Sequence, residues 1–172
     1  MFKLFNKMRK KGKGFTLVEL LVVVAIIAIL AAVLMPKLLG YTERARQARA
    51  LADLGSMKTI VEVYAADQGN GLYPDNSSVA TVMQNNGIAW TGDDKGIKDP
   101  WGNPYYYDRT IDTTTNVTRY IIVSPGLDGN IGTADDVVTT DNLQPSIGAA
   151  DTTAFPDLTA TPPTAAVSYA AQ

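Results

Sequence analysis

The 172-residue chain contains no cysteine and no histidine. Without cysteine it has no disulfide framework, whatever compartment it enters. Without histidine it lacks the commonest general base, the usual activator of a serine or cysteine nucleophile, and the commonest transition-metal ligand. Serine and cysteine triads and histidine-based zinc centres are therefore excluded, leaving an enzyme only carboxylate chemistry. Cations are also missing from one long stretch. No Lys or Arg lies between Gly14 and Lys37, and Glu19 is the one ionisable side chain there.

That stretch is otherwise oil. Leu20 to Met35 is apolar throughout, and with Phe15 to Val18 in front it reaches the roughly 20 residues that a spanning helix needs. An ionised carboxylate in hydrocarbon costs several kcal/mol, so an intramembrane acid marks function by default. Its simplest remedy is a nearby cation, which the segment does not supply. A cut after Gly14 would create one, the α-amine of Phe15, four residues from Glu19. That amine can neutralise its own Glu19 or that of a neighbouring copy. The second option fixes a stagger between copies, so the buried charge would specify register.

The first fourteen residues hold six basic side chains and no acid, which keeps this end cytoplasmic and sends the remainder across the membrane. A conventional secretory signal has its apolar core before the cut and loses it. Here the apolar run follows the cut and stays. The formal charge of -2 hides the asymmetry: without the leader, nine basic and seventeen acidic side chains remain, near -8. So acidic a remainder does not grip nucleic acid through its phosphates.

Gly14-Phe15-Thr16-Leu17-Val18-Glu19-Leu20 resembles the class III signal of type IV pilins and type II secretion pseudopilins. The resemblance implies that a prepilin peptidase cuts after Gly14 and N-methylates Phe15. It also implies that Glu19 pairs with a neighbour's amine during filament assembly. Pro36, just past the apolar run, predicts a kink or a locally melted helix over Met35–Gly40. In related filaments a proline at this place accompanies a stretched helix segment.

From Leu38 to about Asp67 the pattern is amphipathic. Tyr41, Ala45, Ala48, Leu51, Leu54, Met57, Val61 and Tyr64 form the expected buried stripe, with Glu43, Arg44, Arg46, Arg49, Lys58 and Glu62 off it. The arginines face anionic lipid, acidic neighbours or solvent. Gln68-Gly69-Asn70-Gly71 ends the helix. Ser77 or Ser78 caps a short helix over Val79–Asn85. Asp93-Asp94 as a catalytic pair lacks anything nearby to desolvate it. Asp99-Pro100-Trp101-Gly102-Asn103-Pro104 predicts a tight turn into a strand over Tyr105–Arg109, and Thr118–Val123 is its antiparallel partner. The segment from Asp99 to Tyr105 resembles the entry to the small sheet of the major pseudopilin.

The glycine- and acid-rich loop from Ser124 to Asp136 can fold around a hard cation, for which calcium, taking six to eight oxygens, is the natural choice. Its chemistry is equally that of a solvated acidic loop. Asp128-Gly129-Asn130 opens like an EF-hand loop, but Thr133 and Thr139 stand where that motif needs glycine and glutamate. The major pseudopilins carry a similar loop that binds calcium. That resemblance implies ligands from Asp128, Asp135 and Asp136 and from the carbonyls of Pro125 and Thr133. Thr139 to Gln172, rich in Thr, Ala, Pro and Asp, predicts an extended or disordered tail that covers a neighbour, carries glycans or has no role. Asn76 and Asn116 sit in weak glycosylation patterns.

The expected fold is α+β: a long N-terminal helix, membrane-spanning in its first half, packed in its second against a small antiparallel sheet. The expected division is a cleaved leader (1–14), an assembly helix (15–36), a pilin-like domain (37–138) and a tail (139–172). No catalytic site is expected. The resemblance implies a structural subunit that polymerises with itself into a helical filament, anchored by one pass in the inner membrane with its domain periplasmic or extracellular. Prepilin peptidase, minor pseudopilins and an inner-membrane assembly platform would be its partners. The alternatives are a type IV pilin of a surface fibre, a membrane-anchored binding module, and an anchored hydrolase using Asp93, Asp94 or the loop acids.

Overall fold

A computed structural model describes residues 14–91, 95–112, 117–155 and 158. Asp93, Asp94 and Asn116, the leader before Gly14, and the chain from 159 onward lie outside the described residues. The chain divides after Thr42 into two units. Helix α1 (Leu17–Asp67) contributes to both. In the first unit, Leu17–Met35 is long and apolar enough to cross a membrane, its 19 residues spanning about 28 Å at the helical rise. All of its side chains are exposed.

The backbone stays helical through Pro36 and Gly40, where the sequence predicts a joint. The proline removes one N–H from a long ladder, and good helix formers on both sides, such as Leu34 and Leu38, carry the helix across.

In the second unit the buried stripe of α1 is Ala50, Leu54, Met57, Val61 and Ala65, at spacings of three and four. The expected stripe is right only from Leu51 onward. Tyr41, Ala45 and Ala48 are exposed, and Ala50 takes the place given to Ala48. Helix α2 (Val79–Asn85) buries Val79, Ala80, Val82 and Met83. Neither expected serine caps it. Ser78 makes no side-chain cap bond; Asp75 Oδ1 accepts instead from the amides of Ser77 and Ser78, at 3.0 and 2.7 Å.

Four antiparallel strands follow in the order β1 (Tyr106–Asp112), β2 (Val117–Ser124), β3 (Val137–Thr140) and β4 (Ser146–Ile147). The hairpin β1–β2 is the expected one, with Tyr107 opposite Ile122 and Arg109 opposite Tyr120. Alternation sends Tyr107, Tyr120, Ile122 and Val137 to the inner face. There they pack with the α1 stripe, α2, Trp90 and Tyr105 in one core.

Ile121, Val123 and Val138 point the other way. Ala150, Phe155 and Leu158 cover them in a second core, with Tyr106, Ile131 and Ala154 alongside. The expectation of a tail from Thr139 is thereby corrected: the chain stays in the fold through 155 and again at 158. Three well-placed apolar residues hold it, and average composition conceals them.

Candidate functional site

The N-terminal end of α1 is a reciprocal capping box. The Thr16 amide and hydroxyl donate to Glu19 Oε2 at 2.9 and 2.8 Å, and the Glu19 amide donates to Thr16 Oγ1 at 3.2 Å. Thr16 and Glu19 thus satisfy orphan donors that a helix start would otherwise leave open. Gly14 and Phe15 precede the box and are exposed, Phe15 at 82%. The arrangement parks the carboxylate one turn from the Gly14–Phe15 bond, at the end of the helix where negative charge is stabilised. The sequence pattern Thr-x-x-Glu carried this geometry, although the sequence reading used only the acid.

The acidic loop is rooted through the Asp99 turn. Asp99, 5% exposed, accepts from the amides of Trp101 and Asn103 on Oδ1 at 3.0 and 2.8 Å, and from Ser124 Oγ on Oδ2 at 2.7 Å. Asn103 Nδ2 then donates to the Gly126 carbonyl at 2.7 Å. Trp101 Nε1 reaches Glu43 Oε1 on α1 at 3.0 Å, giving this acid a partner. Gly126 has φ +66°, and a Cβ there would collide with the Asp135 backbone, so only glycine closes the loop.

Within the loop, Thr133 Oγ1 lies 2.7 Å from Asp135 Oδ1 and 3.3 Å from Asp128 Oδ1. Its single hydrogen serves only one of them. Asp128 Oδ1 also takes the Asn130 amide at 2.8 Å, and Asp135 Oδ2 the Asp128 amide at 3.1 Å. Three carboxylates therefore converge on one hydroxyl, Asp136 Oδ1 being the most distant at 3.5 Å. The Thr133 hydroxyl, ahead of the opposing effect of burial, holds the Asp135 carboxyl below the usual range.

Asp136 is held chiefly through its other oxygen. It is fully buried, and its Oδ2 accepts three amides, from Gly132 at 2.8 Å, Thr133 at 3.2 Å and Ala150 at 3.0 Å. Burial raises its pKa, and these amides pull it back in part.

Asp128 and Asp135 bring carboxylate oxygens, the donor type a hard cation takes, to one hydroxyl. Pro125 is buried at the root of the loop, and the Thr133 carbonyl accepts the Asp136 amide at 3.3 Å. Among the described residues, no group of three or more acids, histidines or cysteines could hold a metal through side chains alone. Backbone oxygens and water would have to complete any shell.

Sequence reasoning missed Lys58. Expected off the buried stripe, it is 5% exposed. Its Nζ donates to the Thr140 carbonyl at 2.6 Å and lies 2.7 Å from Glu62 Oε1, with the Tyr120 ring 5.7 Å away. Its place at the edge of the buried stripe was the available signal. The glycosylation reading of Asn76 fails on geometry. Its Nδ2, the atom a glycan would occupy, donates to Asp108 Oδ1 at 2.9 Å, while its Oδ1 takes the Arg109 amide at 2.8 Å.

Two family profiles match the chain. The prokaryotic N-terminal methylation motif covers residues 9–35, and type II secretion system protein G covers residues 37–141. The type II secretion system core protein G of Aeromonas hydrophila is 33% identical over 138 residues, 75% of this chain and 92% of the relative. That of Vibrio cholerae serotype O1 is 35% identical over 140 residues, 77% and 93% of the two chains. The type IV major fimbrial protein FimA of Dichelobacter nodosus is 42% identical, but over 64 residues, 37% of this chain. No solved structure matches at the same stringency. An apolar helix opened by a Thr16–Glu19 cap, a small antiparallel sheet and two contiguous profile matches lead to one assignment: the chain belongs to the type II secretion system protein G family.

Proposed function

We infer that this chain is the major pseudopilin of a type II secretion system, a structural subunit that polymerises into a periplasmic pseudopilus and helps drive proteins outward. The observation that carries the reading is the protein G match from 37 to 141, joined to a methylation motif and extended by relatives covered over more than nine-tenths of their length. The fimbrial likeness, limited to 37% of the chain, supports the surface-fibre alternative less.

In this reading a prepilin peptidase cuts after Gly14 and methylates Phe15. The subunit waits in the inner membrane by one pass, with its domain on the far side. The capping box gives Glu19 two local donors while it waits. On assembly Glu19 exchanges them for the amine of a neighbour's Phe15, a contact in which both partners are charged. Repeating that contact with a rotation that does not close builds a helical filament. Minor pseudopilins and an inner-membrane platform are the further partners. Calcium is the proposed structural ion of the loop. Asp128, Asp135 and Asp136 Oδ1 would supply carboxylate oxygens and the Pro125 and Thr133 carbonyls backbone oxygens, so that the ion would neutralise the convergent charge.

The test is Glu19→Ala in cells. The expected outcome is a subunit that is cut and held in the membrane but builds no filament and supports no secretion. Normal filaments from that variant would defeat the reading. Long extracellular fibres of the parent protein at native expression would favour the surface pilin instead.

A further inference from the structure

We propose that residues 148–155 and 158 form a strap closing the outer face of the sheet, and that Asp136 is the positioning residue that seats it. The strap lies beyond residue 141, where the protein G profile ends. Without it, Ile121, Val123 and Val138 would be bare on the outer face. In place, Phe155 and Leu158 are 1% and 2% exposed against them, and the Arg119 guanidinium stands 5.8 Å from the Phe155 ring. The strap folds on its own turn, with Asp151 Oδ1 accepting from the amides of Thr153 and Ala154 at 3.1 and 3.0 Å.

Two bonds tie it to the sheet, and both end on Asp136. The Gly148 amide donates to the Asp136 carbonyl at 2.9 Å, and the Ala150 amide to its Oδ2 at 3.0 Å. The same Oδ2 holds the Gly132 and Thr133 amides at the close of the acidic loop. With three donors around it, that oxygen is saturated, and only Oδ1, 3.5 Å from the Thr133 hydroxyl, is left to face a cation. The family resemblance makes Asp136 a ligand. Through Oδ2 it has a second task, as the pin between loop and strap, a role that holds with or without an ion. The outer face is therefore a surface that this chain reserves for its own C-terminal segment.

The experiment is amide hydrogen exchange on the full chain in detergent micelles, with calcium and with a chelator. In Asp136→Ala, amides 148–155 are expected to exchange about tenfold to a hundredfold faster in both conditions, the loss of a charged acceptor from buried donors. Asp136→Asn, which keeps an acceptor oxygen, is expected to recover most of the protection. Asp128→Ala is expected to leave the strap at parent rates. Parent rates in Asp136→Ala, no recovery in Asp136→Asn, or a strap freed by Asp128→Ala would each overturn the proposal.

If Asp136→Ala does not fold, Phe155→Ala decides. It is expected to free the same amides while the β1–β2 ladder stays slow, and a strap still protected there overturns the proposal. Separately, a parent protein that gains no thermal stability from calcium would defeat the calcium reading of the loop and leave this one standing.

Discussion

Replacing Lys58 by Met is the sharpest test of how α1 is fixed to the sheet. The ammonium donates to the carbonyls of Thr140, the last residue of β3, at 2.6 Å and of Asp141 at 3.4 Å. Losing the short bond from a charged donor costs about 1.5–3 kcal/mol. Losing the contact with the Tyr120 ring adds about 0.5–1 kcal/mol. The ion pair adds little, because the Glu62 side chain is 45% exposed and rehydrates, a loss of at most about 1 kcal/mol. Methionine keeps most of the apolar stem and removes a desolvated charge, which offsets part of the loss.

The net expectation is a destabilisation of about 2–3 kcal/mol, or roughly 10 °C in Tm for a domain of this size. Trp90, 2% exposed in the inner core, reports unfolding in urea by its fluorescence. Glu62→Gln should cost less than about 1 kcal/mol, consistent with an exposed partner. A Lys58→Met protein within about 0.5 kcal/mol of the parent would refute the reasoning. So would a Glu62→Gln variant as costly as Lys58→Met, since the ion pair would then dominate.

Asp99→Ala removes the acceptor of two amides and of the Ser124 hydroxyl. It should cost about 2–4 kcal/mol and weaken the calcium response, read by thermal melts with and without the ion. At a free calcium concentration a hundred times Kd, the parent should gain about 2.7 kcal/mol, and Asp135→Asn should gain far less. Burial raises the phenol pKa values of Tyr105, Tyr107 and Tyr120 well above the ordinary tyrosine value near 10. A raised folded pKa gives stability that is present below about pH 10 and lost as pH climbs past it, because only the unfolded chain releases those protons. Of the eight tyrosines, these three should therefore ionise only as the chain unfolds in alkali; the full phenolate absorbance of all eight before unfolding would contradict the burial.

Much of the fold was legible because its determinants are local. The apolar run to Met35 and the pattern Thr16-x-x-Glu19 describe α1's start within one segment of chain. The paired runs Tyr106–Asp112 and Val117–Ser124 make a hairpin from neighbours in sequence. What stayed hidden depends on distant partners. Val137–Thr140 is too short to announce itself as a strand and becomes one by pairing with β2. Phe155 and Leu158 look like stray apolar residues until the outer face of the sheet is placed beneath them.

The burial of Lys58 and of Asp136 stayed hidden for the same reason. Each is a charged residue whose burial is bought by backbone groups many residues away, Thr140 for one and Ala150 for the other. At Pro36 a sound local rule predicted a kink or a melted segment, and the flanking helix keeps the segment from melting.

The central claim is that a lone acid in an apolar helix is matched by an amine that proteolysis creates. Mass spectrometry of the N-terminal peptide, from filaments purified at native expression, tests it most directly. The account predicts a chain that begins at Phe15 with one methyl group on its amine. A filament built from chains that still begin at Met1, with the basic leader intact, would contradict it.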